Sequence, residues 1–414
     1  VPSIRKGILQ LIFSGSFMKR WNDKMRPMEL VEVDKQAHKM IAALVLFNLN
    51  SSDLSRGEAT ELGTNIVRGG IFEYLYRLVI TDIKPPVFYK IKANPAHYEQ
   101  LTRWVLEQLQ PRVQPLGEDF CRDMENYFLQ AEEDCPGKRI LQAAHVYASS
   151  REFDLIKNVN PADGELAEIE ETFRSQLDEY SDLAGMRDLI AGPSSELGRF
   201  VHVCGQLRFQ KRWSQTPRIP ETSVLGHMFI VACYAYFFSL CLGACPRRAQ
   251  NNFFAGLLHD VPELLTRDII SPVKQSVMRI GDLIKEYENA ELERRIFRPL
   301  RDGGYMRLER RIKYLLGMEV GSEFNSSIIQ DGEASCVTLE LLQRDFNLDQ
   351  FDPKDGEMLK VCDNLAAFIE AYTATRNGIT NEQLQQAQWR IRSKYQQTSL
   401  LDGLHIGALL ADFD

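Results

Sequence analysis

Apolar residues recur at helical spacing along most of the chain. Tyr98–Leu109, Glu165–Ala184, Gly281–Phe297 and Asn381–Tyr395 combine helix-favouring charged and aliphatic residues in that rhythm. Alternating patterns that would predict strands are rare and short, so the expected fold is all-α. The most apolar run, Met228–Leu242, is shorter than the roughly 20 residues that span a bilayer, which predicts a buried core helix. Clusters of Pro, Gly, Asn and Ser mark loops at Asn158–Gly164 and Ala191–Ser195. The second cluster lies near the middle and sets the expected domain boundary, giving residues 1–190 and 191–414.

The pattern also repeats. "FMKRW" at Phe17–Trp21 returns as "FQKRW" at Phe209–Trp213, and "TDIKPPV" at Thr81–Val87 returns as "RDIISPV" at Arg267–Val273. Between these landmarks each half has a His opening an apolar helix, "AHKMIAALVLF" from Ala37 and "GHMFIVACYAY" from Gly226. Further on, "ILQAAHVYASSREF" from Ile140 parallels "MLKVCDNLAAFIEA" from Met358. Four landmarks in the same order point to an internal duplication.

Composition narrows the function classes. A chain of 414 residues exceeds the usual span of one core, in keeping with two domains. With 44% hydrophobic and 26% charged residues it has the balance of an ordinary globular protein. A net charge of −8 without a basic stripe argues against nucleic acid as a partner. The eight cysteines follow no framework spacing and read as reduced thiols, Cys241 and Cys245 included. No secretion signal is legible from Val1 onward, and nothing calls for a membrane. The expected location is therefore cytoplasmic.

Candidate chemistry sits in "GLLHDVPELLTRDIISPVK", Gly256–Lys274. The apolar stretch Phe253–Leu258 delivers His259 and Asp260 together at its end, and Pro262 disfavours helical geometry at Val261. A bend there lets two adjacent side chains, about 100° apart on a straight helix, converge on one ion. Imidazole plus carboxylate suits a divalent metal such as Mn, Co, Fe, Ni or Zn. Further ligands are needed. His227 opens the apolar helix, and Asp363 stands among Val361, Leu365 and Phe368, where a carboxylate is costly to bury unless paired or bound to metal.

His…His-Asp…Asp resembles the signature of the HD-domain metal-dependent phosphohydrolases, most closely the bacterial 5′-deoxynucleotidase branch. That branch has an Arg-Trp pair, a His fifteen residues after the Arg, an HD motif followed by Glu and "LTxD", and then "PVK". Here Arg212-Trp213, His227, His259-Asp260, Glu263, Leu265-Thr266-Arg267-Asp268 and Pro272-Val273-Lys274 stand in that order, and Tyr287 and Glu291 also fit. The resemblance covers about Leu207–Gly378. It implies one divalent metal held by His227, His259, Asp260 and Asp363, with Mg also among the choices, and a water made acidic enough to attack phosphorus. It gives Glu263 the role of general acid or base and Asp268 an orienting role. Arg212 would clamp the phosphate, Trp213 would pack on the sugar, and Lys274 would be a weaker phosphate contact. The branch usually has Glu before the first His, where this chain has Gly226.

Bland readings stand beside these. The functional reading of Arg212 and Trp213 is preferred, but a surface salt-bridge partner and a core residue stay open as readings, since the first half repeats the pair. Lys274 reads more readily as a solvated lysine. His202 and His405 have no motif partner in the sequence and read as incidental.

In the first half, alignment on "TDIKPPV" puts Glu73 and Tyr74 at the positions of His259 and Asp260. Arg77 then matches Glu263, and His145 matches Asp363; His38 and Asp82 survive. This predicts a degenerate HD-like domain that kept its fold and lost its metal, although a site built from His38, Glu73 and His145 is chemically conceivable. The two halves are then expected to form two tandem HD-like helical bundles packed as a fused pseudo-dimer, in a monomer or homodimer. The leading function is hydrolysis of nucleoside (deoxy) 5′-monophosphates. A dNTP triphosphohydrolase, with Arg267 and Arg279 as the nearby extra cations, is the alternative, as is a non-catalytic nucleotide or metal sensor.

Overall fold

Two long buried helices, one from each half, lie side by side at the centre of the protein. The computed structural model describes residues 2–81, 83–130, 135–161, 164–266 and 278–414. The main helices of the first half are α1 (Lys6–Ser14), α2 (Glu32–Asn50), α3 (Arg56–Ile80), α4 (Pro136–Ile156) and α5 (Gly164–Asp178). Those of the second are α6 (Glu196–Gly205), α7 (Val224–Cys241), α8 (Pro246–Leu258), α9 (Gly356–Arg376) and α10 (Glu382–Tyr395). Further helices and two small two-stranded sheets complete the described residues, and the fold is all-α.

The central helices are α2 and α7, which pack against each other. The α7 helix is apolar all round and buried all round, the expected fate of a helix with no polar face. Its start is fixed by Ser223, whose Oγ accepts the Gly226 N–H at 2.9 Å. It also packs against α8 and α9. Phe229, Phe237 and Phe238 on α7 and Phe253 on α8 are fully buried, each stabilising the fold by about 1.5–3 kcal/mol. One hydrophobic core, from Ile4 to Phe413, takes in residues of both halves. The expected boundary after residue 190 falls within a short helix, Met186–Ala191, and the helices on either side of it share an interior. Val224–Cys241 is long and apolar enough to cross a membrane by composition, and it lies inside that core.

Two glycines set close approaches. A Cβ on Gly256 of α8 would stand 2.9 Å from Ala232 Cα of α7, so its absence lets the two backbones touch. A Cβ on Gly226 of α7 would meet Asp34 Oδ1 of α2 at 2.6 Å and Val33 Cγ2 at 2.8 Å. The side chain that is missing before His227 is missing where the first half packs.

The predicted helices are present, with adjusted ends. Tyr98–Leu109 lies inside a helix over Pro95–Val113, and Asn381–Tyr395 becomes α10, capped by Asn381, whose Oδ1 accepts Leu384 N–H at 3.0 Å. Glu165–Ala184 overshoots. The helix α5 ends at Asp178, and turns run through Tyr180-Ser181-Asp182 to Gly185 at φ 88°. Gly281–Phe297 falls in a helix over Met278–Leu292 followed by a π-helical turn, Glu293–Phe297. A hairpin pairs Ser327–Gln330 with Glu333–Cys336 through Asp331-Gly332, both at positive φ (52° and 86°). Asp-Gly between strands is a strong hairpin signal, here masked by how short the strands are.

Candidate metal centre

Three helices of the second half deliver the ligand candidates. His227 lies in the first turn of α7, His259 caps the end of α8, and Asp363 lies midway along α9. Beyond His259 the chain turns, with Val261 N–H bonding Leu258 O at 2.9 Å and Glu263 N–H bonding Asp260 O at 3.0 Å, before a short helix over Glu263–Thr266. This is the bend that Pro262 predicted, and it lets Asp260 face the same point as His259.

The donor atoms converge. His227 Nε2 lies 3.1 Å from Asp363 Oδ1 and 3.7 Å from Asp260 Oδ2. His259 Nε2 lies 3.2 Å from Asp260 Oδ2 and 3.9 Å from Asp363 Oδ1. One ligand atom each from His227, His259 and Asp363 falls within a 4.8 Å group. Both imidazoles are buried. The Nδ1 of His259 bonds the Gly256 carbonyl at 2.7 Å, which turns Nε2 toward the cluster. That Nε2 is buried without a hydrogen bond. Two imidazoles and two carboxylates around such an atom are a donor set that can hold a divalent cation.

The charge state agrees. Burial would lower the His259 pKa, but the Asp260 carboxylate beside it outweighs burial and holds it up at about 9. Burial would likewise raise the Asp363 carboxyl, while the hydrogen bond with His227 and the Lys360 charge hold it well below the usual range. The cluster by itself gathers a proton at the point where four donors could share a cation.

A second layer holds the first. Glu370 follows Asp363 by seven residues on the same face of α9 and is fully buried. It accepts from Trp213 Nε1 at 2.8 Å, Thr222 Oγ1 at 2.6 Å and Arg212 Nε at 3.3 Å. Burial opposes its charge, yet Arg212 and Arg218 bring its pKa down to about 2. Arg212 also reaches Asp260, Nη1 to Oδ2, at 3.5 Å. Lys360, one turn before Asp363, bonds its Oδ2 at 2.9 Å and lies over the Phe324 ring at 4.1 Å. The sequence reading missed Glu370 and Lys360. Their signal is helical spacing from Asp363, which a motif search does not weigh.

The other expected residues fall as follows. Glu263 is buried at the start of its short helix. Arg212 borders the cluster. Trp213, at φ 56°, has its indole N–H on Glu370, so its first partner is the framework. Asp268, Lys274 and Arg267 lie outside the described residues, as does the side chain of Arg279. Glu291 pairs with Arg294 and Arg295, and Tyr287 is exposed. Cys241 and Cys245 are held as thiols, burial pushing each up to about 12.

The first half has the same framework around different groups. Trp21 stands at φ 57°, and bridges join Lys19 with Val31 as they join Lys211 with Ser223. Arg20 and Trp21 bond Glu152 at 2.8 and 3.1 Å, as Arg212 and Trp213 bond Glu370. Glu152 follows His145 by seven residues, as Glu370 follows Asp363. Counting from the N-caps, Val31 and Ser223, the position of His227 is held by Lys35. Its Nζ lies 2.7 Å from His145 Nδ1, Lys39 pairs with Glu73, and Tyr127 donates to Glu73 at 2.6 Å. This corrects the sequence pairing of His38 with His227. His38 lies about one turn further along α2, with Nε2 3.1 Å from the Val201 carbonyl, and burial lowers its pKa well below the usual value. Among the described residues His38, Glu73 and His145 form no ligand group. Asp82 lies outside them.

No curated protein and no solved structure was found to match the chain. A family model described as HD domain matches residues 204–392, a span that contains every candidate ligand. Residues 204–392 are thus similar to an HD domain, a family whose members are generally metal-dependent hydrolases.

Proposed function

We propose that this protein hydrolyses nucleoside 5′-monophosphates, deoxy forms above all, at the His227–His259–Asp260–Asp363 cluster. The observation that carries the reading is the placement of Arg212, its Nη1 3.5 Å from Asp260 Oδ2 and its Nε on Glu370. A guanidinium pinned at the edge of a metal-ligand cluster suits an incoming phosphate oxygen.

In this reading the two imidazoles and two carboxylates hold the cation, which supplies Lewis acidity and an activated water when bound. Asp260 has two tasks, one as ligand and one as anchor for Arg212. Glu370 fixes the Arg212 fork and the Trp213 ring by accepting from both, and leaves the guanidinium free of rotamer loss when phosphate arrives. Glu263, three residues after Asp260 at the bend, handles the proton. Asp268 and Lys274 keep their orienting and phosphate-contact roles as expectations. The partner is a small phosphorylated molecule, not nucleic acid or membrane, and the location is cytoplasmic, in keeping with eight free cysteines.

We also infer that the first half is a degenerate copy and that the two bundles form a fused pseudo-dimer. The shared core, the paired Arg-Trp-Glu ties and the Gly226–Asp34 fit support this. The test of function is phosphate release from 5′-deoxynucleoside mono- and triphosphates with added Mn, Co or Mg. Monophosphate hydrolysis that disappears in Asp260→Ala is the expected result. Tripolyphosphate release instead would transfer the protein to the triphosphohydrolase class.

A further inference from the structure

A second feature lies where the halves meet, at the other end of α8 from His259. A cavity of about 370 Å³ opens there between the end of α2, the start of α3, the start of α8 and the helix Met306–Leu315. That is the size of a small-ligand site. Four arginines face it, Arg56, Arg247, Arg307 and Arg311, against Asp349 and Asp352.

The carboxylates are already engaged. Asp352 is shared by two guanidiniums, with Oδ1 2.7 Å from Arg247 Nε and Oδ2 2.8 Å from Arg311 Nη1. Asp349 Oδ1 accepts the backbone N–H of Arg247 at 2.9 Å. The outer two arginines bond only neutral oxygens among the described residues. Arg307 Nη2 lies 3.3 Å from both the carbonyl and the Oγ of Ser51, and Arg56 Nη1 lies 3.4 Å from the Gln350 carbonyl. Burial and the Arg247 charge lower the pKa of Arg307 against the pull of Asp53, and burial lowers that of Arg311 against the pull of Asp352. The cavity therefore holds more positive charge than its own residues neutralise. Arg56 comes from the first half and the other three from the second, so an anion here would tie the halves together. Phe47 and Leu54 give the cavity an apolar side, suited to the body of a ligand whose charge is at one end.

We propose that this cavity binds a small phosphate-bearing ligand with two or more negative charges, at a site separate from the metal centre. Arg247 and His259 are twelve residues apart along α8, which is about 18 Å of helix, so one small ligand does not reach both. The proposal does not rest on the reaction assigned to the metal centre.

The test is calorimetric titration of the full chain with inorganic tripolyphosphate, after chelator treatment so that metal does not capture the probe. Wild type is compared with the double variant Arg56→Ala/Arg307→Ala and with Arg212→Ala. The expected result is one site whose affinity falls at least about tenfold in the double variant and is unchanged in Arg212→Ala. The melting temperature of the double variant shows that it is folded. If it melts early, Leu54→Glu, an exposed change that puts a negative charge at the mouth, gives the same readout. No binding to wild type, binding that follows Arg212, or binding untouched by the cavity variants would overturn the proposal.

Discussion

The two halves hold an Arg-Trp pair on a buried glutamate in the same way, and then differ at the next step inward. In the second half His227 faces Asp363 at 3.1 Å, with a second imidazole and a second carboxylate beside them. In the first, Lys35 faces His145 at 2.7 Å, and Lys39 is paired with Glu73. Where one half offers lone pairs to a cation, the other fills the same place with two lysine side chains. Burial lowers the Lys35 pKa well below the usual value, Glu32 pulling the other way, and the charge of Lys35 lowers that of His145. The fold thus keeps a polar, well-bonded interior with or without a metal. The Arg-Trp-Glu tie is common to both halves, and the groups inside it differ.

The sharpest way to break this comparison is to make matched changes in both halves. Glu263→Gln is expected to cut turnover by about two to four orders of magnitude with metal content unchanged, whereas Arg77→Gln at the matching position leaves turnover alone. Steady-state rates and metal analysis of both variants check this, and equal losses would mean that the first half takes part in the chemistry. A smaller effect is expected one layer out. Glu370→Gln should lower activity or metal affinity by about 10–100-fold, as loss of a group supporting metal ligands does. Glu152→Gln should lower thermal stability and spare kcat. If Glu370→Gln has no effect beyond that of Glu152→Gln, the tie is scaffold in both halves.

The smallest effect concerns the contact between the halves. Burial raises the Asp34 pKa to about 6, although Ser223 donates to its carboxylate at 2.6 Å. The folded value lies above the unfolded one, so the folded state binds more protons between about pH 4 and 6, and stability falls as pH rises through that window. A shift of this size corresponds to a loss of about 1–3 kcal/mol by neutral pH. Asp34→Asn should flatten the decline, as read from denaturant midpoints at pH 4.5 and 7.5. An unchanged slope would exclude Asp34 as its source.

Much of this was legible in the sequence because the signals are local. Helical spacing marks the elements, and the His-Asp pair before a proline marks the bend. What was not legible depends on neighbours distant in the chain. Gly226 reads as a missing side chain, yet its space is taken by Asp34, 192 residues earlier. Matching apolar runs paired His38 with His227, because such a run slides along itself without penalty on paper. The matching bridges at the helix starts, Lys19 with Val31 and Lys211 with Ser223, fix the register and put Lys35 there instead. Glu370 carries no motif, and only the folded helix shows that it stands two turns from Asp363 beneath Arg212.

The most direct test is the metal-to-chain ratio. The purified full chain would be loaded with Mn, freed of excess by gel filtration and analysed for metal, alongside His259→Ala and Lys35→Ala. One ion per chain in the wild type and in Lys35→Ala, and none in His259→Ala, is the expected result. Two ions per chain, or one that survives His259→Ala, would contradict a single centre in the second half.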